Sequence, residues 1–177
     1  MSQRTILIID DNEDIRENTA EILALGGYRT ITAENGKKGV EAALAEKPDL
    51  IVCDIMMPEL DGYGVLHLLR KNPETEGIPL IFLTAKAERS DLRKGMEMGA
   101  DDYVTKPFEE LELMNAIESR LKKVDILQKK YNASGKGLSE LANDLKANGM
   151  LKFNLENYNS ELYSKKQSIY AGGFTFI

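Results

Sequence analysis

This sequence predicts an α/β protein built on a doubly wound, five-stranded parallel sheet with a C-terminal extension. Three observations carry that reading. Short β-prone runs recur at regular intervals: TILIID (5–10), YRTITA (28–33), LIVCD (50–54), PLIFLTA (79–85) and DYVTKP (102–107). Several are apolar throughout, as strands must be when both faces are covered. The segments between them place apolar residues at helical spacing, so the rhythm is βαβαβαβαβα, which calls for crossover connections over both sides of one sheet.

Each element has its own justification. After the first strand, Ile15, Ile22 and Leu23 share a helical face, and Gly26-Gly27 supplies the stop. Val40, Ala43 and Leu44 mark the second helix, Val65, Leu66, Leu68 and Leu69 the third, and Leu92 with Met96 a fourth that ends at Gly99. A further helix is expected from about Glu109. Leu111, Met114, Ile117, Leu121, Val124 and Leu127 make its stripe, which outlasts the turns needed to cover the sheet. Its far end either folds back on its own domain or pairs with a partner. Beyond Tyr131, NASGKG reads as a flexible break and LSELANDLKANG as a short amphipathic helix closed by Gly149. The remainder has Asn-rich turns and β-prone stretches, too short for an independent core. These shifts divide the chain into a domain at 1–123, a helix extension and linker at 124–137, and a short segment at 138–177.

A length of 177 residues leaves room for one full core and an appendage, but not for two large domains. The net charge of −6 works against non-specific attraction to nucleic acid or anionic membrane. Acidity is concentrated early: residues 1–131 carry 18 basic and 25 acidic side chains, the rest 5 and 4. Direct nucleic-acid binding by residues 1–131 is therefore not expected. Cys53 is the only cysteine, which excludes a disulfide framework within the chain and fits a reducing, cytoplasmic setting. The apolar stretch from Ile6 to Ile9 ends in aspartates, far short of a signal peptide or membrane span.

Chemistry gathers at the strand ends. Asp10 and Asp11 close the first strand, Asp54 the third, Thr84 the fourth and Lys106 the fifth, which puts all five on the edge of the sheet where such folds bind ligands. Singly, each has a plainer explanation: an aspartate before a helix caps it, a threonine suits a strand, and a lysine is a solvated charge. Together, carboxylates so crowded repel and raise one another's pKa unless a cation neutralises them. Mg2+ is the natural candidate, since it takes oxygen ligands from one or two carboxylates and a substrate phosphate. A carboxylate beside that ion can attack a phosphoryl group, with Lys106 neutralising the phosphoryl oxygens. Cys53 reads as a buried strand residue and His67 as an ordinary helix residue.

The stretches ILIIDDNEDIR, LIVCDIMMPELDGYGVL, IPLIFLTAKA and GADDYVTKPFEELEL together resemble the receiver domain of two-component response regulators, over roughly residues 3–123. The resemblance implies a flavodoxin-like strand order of 2-1-3-4-5. It further implies a signalling domain rather than an enzyme, phosphorylated on Asp54 by a sensor histidine kinase or phosphotransfer protein. Asp11 would be a direct Mg2+ ligand, Asp10 its partner through water, and the backbone carbonyl of Met56 a further ligand beside Asp54. Thr84 would be the switch hydroxyl and Tyr103 the aromatic that swings inward behind it. Lys106-Pro107 would be a cis bond. Pro58 and Gly62 would shape the loop after Asp54, Pro by fixing φ and Gly by adopting conformations closed to other residues. The small Ala85 would leave access to Asp54 open.

A phosphatase of the haloacid-dehalogenase type also uses an aspartate nucleophile with Mg2+, Thr and Lys. That family wants a second aspartate two residues after the first, and the position is Met56. No G-x-G-x-x-G follows the first strand, which disfavours a dinucleotide-binding enzyme. The output stays open: a lone receiver acting through protein contacts, including a phosphorylation-dependent homodimer, or a receiver with an effector domain after a linker. The closing YSKKQSIYAGGFTFI is similar to the first strands of cyclic-nucleotide-binding β-rolls. Residues 138–177 are accordingly either a native tail or the start of an effector domain.

Overall fold

The computed structural model describes residues 3–85 and 97–134, with residues 131–134 as backbone alone. Five strands, β1 (Thr5–Ile9), β2 (Arg29–Ala33), β3 (Leu50–Asp54), β4 (Leu80–Thr84) and β5 (Asp102–Thr105), form one sheet. Its order is β2-β1-β3-β4-β5 and every neighbouring pair is parallel. The described helices are α1 (Glu13–Leu25), α2 (Gly36–Glu46), α3 (Gly62–Lys71) and α4 (Glu110–Ser134). The helix expected around Leu92 and Met96 lies outside the described residues, as do the linker beyond 134 and the segment 138–177. Residues 97–98 are helical, and Gly99 follows at a φ of 101°, a left-handed conformation that suits glycine after a helix.

The strands are apolar on both faces because two helical layers cover them. Leu7, Ile9, Ile51, Cys53 and Phe82 point to one side and pack with Ala43 of α2 and Val65, Leu66 and Leu69 of α3. Ile6, Ile8, Val52, Ile81 and Leu83 point to the other and pack with Leu23 of α1 and Leu113, Ile117 and Leu121 of α4. The alternation along β1, β3 and β4 is the period of two that a pleated strand imposes. Edge strands β2 and β5 keep several partly exposed positions.

Helix starts are set by side-chain caps. Asn12 accepts from the Ile15 N–H at 3.1 Å, Asn35 from Lys38 at 2.8 Å and Asp61 from Gly64 at 2.7 Å. The cap of α1 is thus Asn12, which leaves the carboxylates of Asp10 and Asp11 out of helix capping.

Three expectations need correction. Leu68 is exposed, and α3 buries Val65, Leu66 and Leu69 instead. On α4, Leu111 is 70% exposed and Leu113 is fully buried, so the inward face runs through Leu113, Ile117 and Leu121. Two residues of a helix stand about 200° apart, so Leu111 and Leu113 cannot both face the sheet. Gly62 is required for space rather than for an unusual φ: a Cβ there would lie 2.5 Å from the Asp54 carbonyl oxygen and 2.9 Å from Phe82. The left-handed residue of that loop is Glu59, at a φ of 66°.

A buried pair closes the sheet's other end. Arg70 donates to the carbonyls of Glu76, Ile78 and Gly99 and to Asp101 Oδ2 at 3.2 Å, and the same oxygen accepts from the Leu80 N–H at 2.8 Å. Burial pushes the Asp101 carboxyl up to about 6, against the opposing pull of Arg70 and the Leu80 N–H. Among the described residues, no helix is long and apolar enough to cross a membrane.

Candidate functional site

At the carboxyl edge of the sheet the structure brings together Asp10 after β1, Asp54 ending β3, Thr84 ending β4 and Lys106 after β5. Asp10 is fully buried, Asp54 is 5% exposed and Thr84 6% exposed. The Lys106 ammonium donates to Asp10 Oδ2 at 2.7 Å and to Asp54 Oδ1 at 3.1 Å. One cation therefore bridges two buried carboxylates. Desolvation works against the charged Lys106, yet the hydrogen bond to Asp10 and the attraction of both aspartates outweigh it and hold its pKa above the usual lysine value. Asp54 is raised, by burial first and by the charges of Asp10 and Asp11, with Lys106 opposing.

Asp11 is exposed at the rim. Asp10, Asp11 and Asp54 each offer a carboxylate oxygen within 4.8 Å of the others. The donors are all hard oxygens and carry more negative charge than Lys106 neutralises, which is the chemistry Mg2+ selects. Met56 follows Asp54 by two residues in the loop after β3, its carbonyl accepts no hydrogen bond from a described residue, and its side chain is 76% exposed. The residues present fit the ion.

Around this core, the loop after β3 is tied back by Gly62 N–H to Ile55 O at 2.9 Å and Leu60 N–H to Pro58 O at 2.8 Å. Pro58 is exposed and Gly62 buried. The Lys106–Pro107 bond is cis, and Lys106 N–H donates to Thr84 O at 2.7 Å. The Tyr103 ring packs on Phe82 with centroids 5.5 Å apart. Phe82 precedes Thr84 by two residues and so shares its face of β4. Cys53 is buried in the sheet and His67 is an exposed residue of α3.

The response regulator receiver domain family matches residues 6–118. The chain belongs to that family. As a receiver domain, it is 36% identical over 176 residues to the "Probable transcriptional regulator ycf27" of Porphyridium aerugineum, covering 99% of this chain and 68% of that protein. It is 41% identical over 123 residues to the "Phosphate regulon transcriptional regulatory protein PhoB" of Pseudomonas aeruginosa, covering 70% of this chain and 54% of that protein. The chain thus spans between about half and two thirds of the length of these curated relatives. Among solved structures, the receiver domain of a Francisella response regulator superposes with a TM-score of 0.65 at 32% identity, over 69% of this chain and 99% of that one. The chemotaxis protein CheY4 of Vibrio cholerae, at 24% identity and a TM-score of 0.65 over 67% of this chain and 98% of that one, shares the fold.

Sequence reasoning did not find every residue that organises the site. Asp10 Oδ1 accepts from the Asn12 N–H at 2.9 Å, and the Asp10 carbonyl accepts from Arg16 Nη1 at 2.9 Å. An arginine one turn into the helix that follows paired aspartates was the available signal, but its target is a backbone atom and leaves no pattern in the sequence.

Proposed function

We propose that this receiver accepts a phosphoryl group on Asp54 from a histidine kinase or phosphotransfer protein, in a Mg2+-dependent reaction, and that the resulting change of state controls an output. The observation that supports it is the placement of a buried, partly neutralised carboxylate at the end of the central strand, within reach of Lys106 and two further aspartates. Lys106 engages Asp54 Oδ1 and leaves the other carboxylate oxygen to attack phosphorus. A P–O bond forms as the donor's P–N bond breaks, and the electron pair leaves with the donor imidazole. When bound, Mg2+ supplies charge neutralisation to the phosphoryl oxygens. Asp10, Asp11, Asp54 and the Met56 carbonyl are the groups that would hold it. Lys106 neutralises from the opposite side, and the small Ala85 leaves the approach open.

The phosphoryl group would draw Thr84 toward it, with Tyr103 following into the space behind Thr84. The chain acts in this reading as a cytoplasmic signalling domain that assists its own phosphorylation and dephosphorylation. An aspartate-nucleophile phosphatase is disfavoured by Met56 at the position where that chemistry needs a second carboxylate. Relatives named as transcriptional regulators support transcription as the output, with nucleic-acid contacts made by a separate domain. The alignment over 99% of this chain supports reading residues 138–177 as the beginning of such an effector.

Acetyl phosphate with Mg2+ tests the assignment. One phosphoryl group per chain is expected by intact mass, labile to hydroxylamine as an acyl phosphate, and absent from Asp54→Asn. Equal labelling of that variant would overturn the assignment.

A further inference from the structure

We infer that Arg16 is the positioning residue of the Mg2+ site, acting through the peptide that joins Asp10 to Asp11. The inference rests on the proposed metal-dependent phosphorylation.

Asp11 is the exposed member of the carboxylate group, and no described residue hydrogen-bonds its side chain. Its carboxylate is therefore aimed by the backbone beneath it. That backbone lies between two regular elements, because β1 ends at Ile9 and α1 begins at Glu13. Every polar group of Asp10 is nevertheless held. Its N–H donates to Ala33 O at 3.2 Å, Oδ1 accepts from Asn12 N–H, and Oδ2 accepts from Lys106. The carbonyl has left the sheet ladder and precedes the helix, and Arg16 Nη1 supplies its partner at 2.9 Å.

A trans peptide unit is planar, so fixing the Asp10 carbonyl fixes the Asp11 N–H and the position of the Cα from which the Asp11 side chain departs. Remove the donor and the peptide can rotate, carrying the Asp11 carboxylate away from Asp10 and Asp54. The guanidinium suits this task because one nitrogen binds the carbonyl while the remaining N–H groups stay solvated. Arg16 lines a cleft of 360 Å³ together with Asp11, Glu13, Glu34 and Glu59. A buried acidic partner would fix Arg16 elsewhere; here its described hydrogen bond is to the backbone of the site.

Mg2+ titration of the full chain by calorimetry tests this, comparing the native protein with Arg16→Met and Arg16→Lys. The temperature is chosen so that each variant keeps the native far-UV circular dichroism. Loss of an orienting partner of a metal ligand weakens metal affinity by about tenfold or more. Arg16→Met is expected to show that loss, and Arg16→Lys, which retains a donor of similar reach, to recover most of it. The sign is diagnostic, since deleting a nearby positive charge would by itself strengthen binding of a cation. Unchanged or tighter Mg2+ binding by Arg16→Met would overturn the positioning role while leaving the phosphorylation site intact. Absence of Mg2+ binding by the native chain would instead remove the reading on which both rest. Phosphorylation by acetyl phosphate gives a second readout: Arg16→Met should need more Mg2+ for half-maximal rate and reach a near-native rate at saturation.

Discussion

Asp101 is a carboxylate enclosed by the chain's own donors, and its pH dependence follows from that enclosure. Its carboxyl is raised to about 6 chiefly by burial, from an ordinary value of 3.8. The fold thus favours the neutral form. The stability Asp101 contributes is fully present below its unfolded pKa and is lost as pH rises through about 6. Asp101→Asn does not titrate. Urea unfolding of the native chain and this variant is expected to give a stability difference that shifts against the native chain as pH rises from about 4 to about 7. A difference constant over that range would mean that Arg70 keeps Asp101 ionised throughout. Burial also lowers Arg70, so neither charge is held without cost.

At the level of elements, α4 shows how a helix is chosen by the surface it meets. Leu113, Ile117 and Leu121 pack with Ile8, Ile81 and Val104 on one face of the sheet. Replacing Leu113 by Ala removes fully buried methyl groups and leaves a cavity, and is expected to cost about 2–5 kcal/mol in urea unfolding. Leu111→Ala, on the exposed side of the same turn, is expected to change stability by about 0.5 kcal/mol or less. Equal costs would put the wrong face of α4 against the sheet. The same helix is tied at two further points, by Arg120 to Asp102 at 2.9 Å and by Arg4, which contacts both Asp49 and Asp125. Each of these pairs is partly exposed and contributes at most about 1 kcal/mol, so the apolar face carries the docking.

Across the whole molecule, those ties connect the proposed phosphorylation site to the surface formed by β5 and α4. Lys106 follows β5 directly, Asp102 begins it, and Asp102 holds Arg120 of α4. A group that draws Thr84 and Lys106 together would shift the ends of β4 and β5 and bias α4 with them. With beryllofluoride as a phosphoryl mimic, hydrogen exchange is expected to change across β5 and residues 110–130. Light scattering is expected to show a change in self-association. Identical exchange and identical mass in both states would leave Asp54 as an acceptor without a conformational readout.

Hydrophobic patterning along the chain is enough to set the strand rhythm and, through it, the gathering of Asp10, Asp11, Asp54, Thr84 and Lys106 at one edge. Each of those residues ends or follows a strand, so its place depends on local hydrophobic patterning that neighbours in the chain reveal. Tertiary structure alone decided which of Leu111 and Leu113 turns inward, because both fit a helical stripe and only the facing sheet selects one. It alone paired Arg70 with Asp101, 31 residues apart, and turned Arg16 onto a backbone carbonyl that no sequence pattern marks. It also gave Gly62 its reason, since the atoms that exclude a Cβ there belong to the end of β3, the residue after it and β4, and come together only when the sheet has formed.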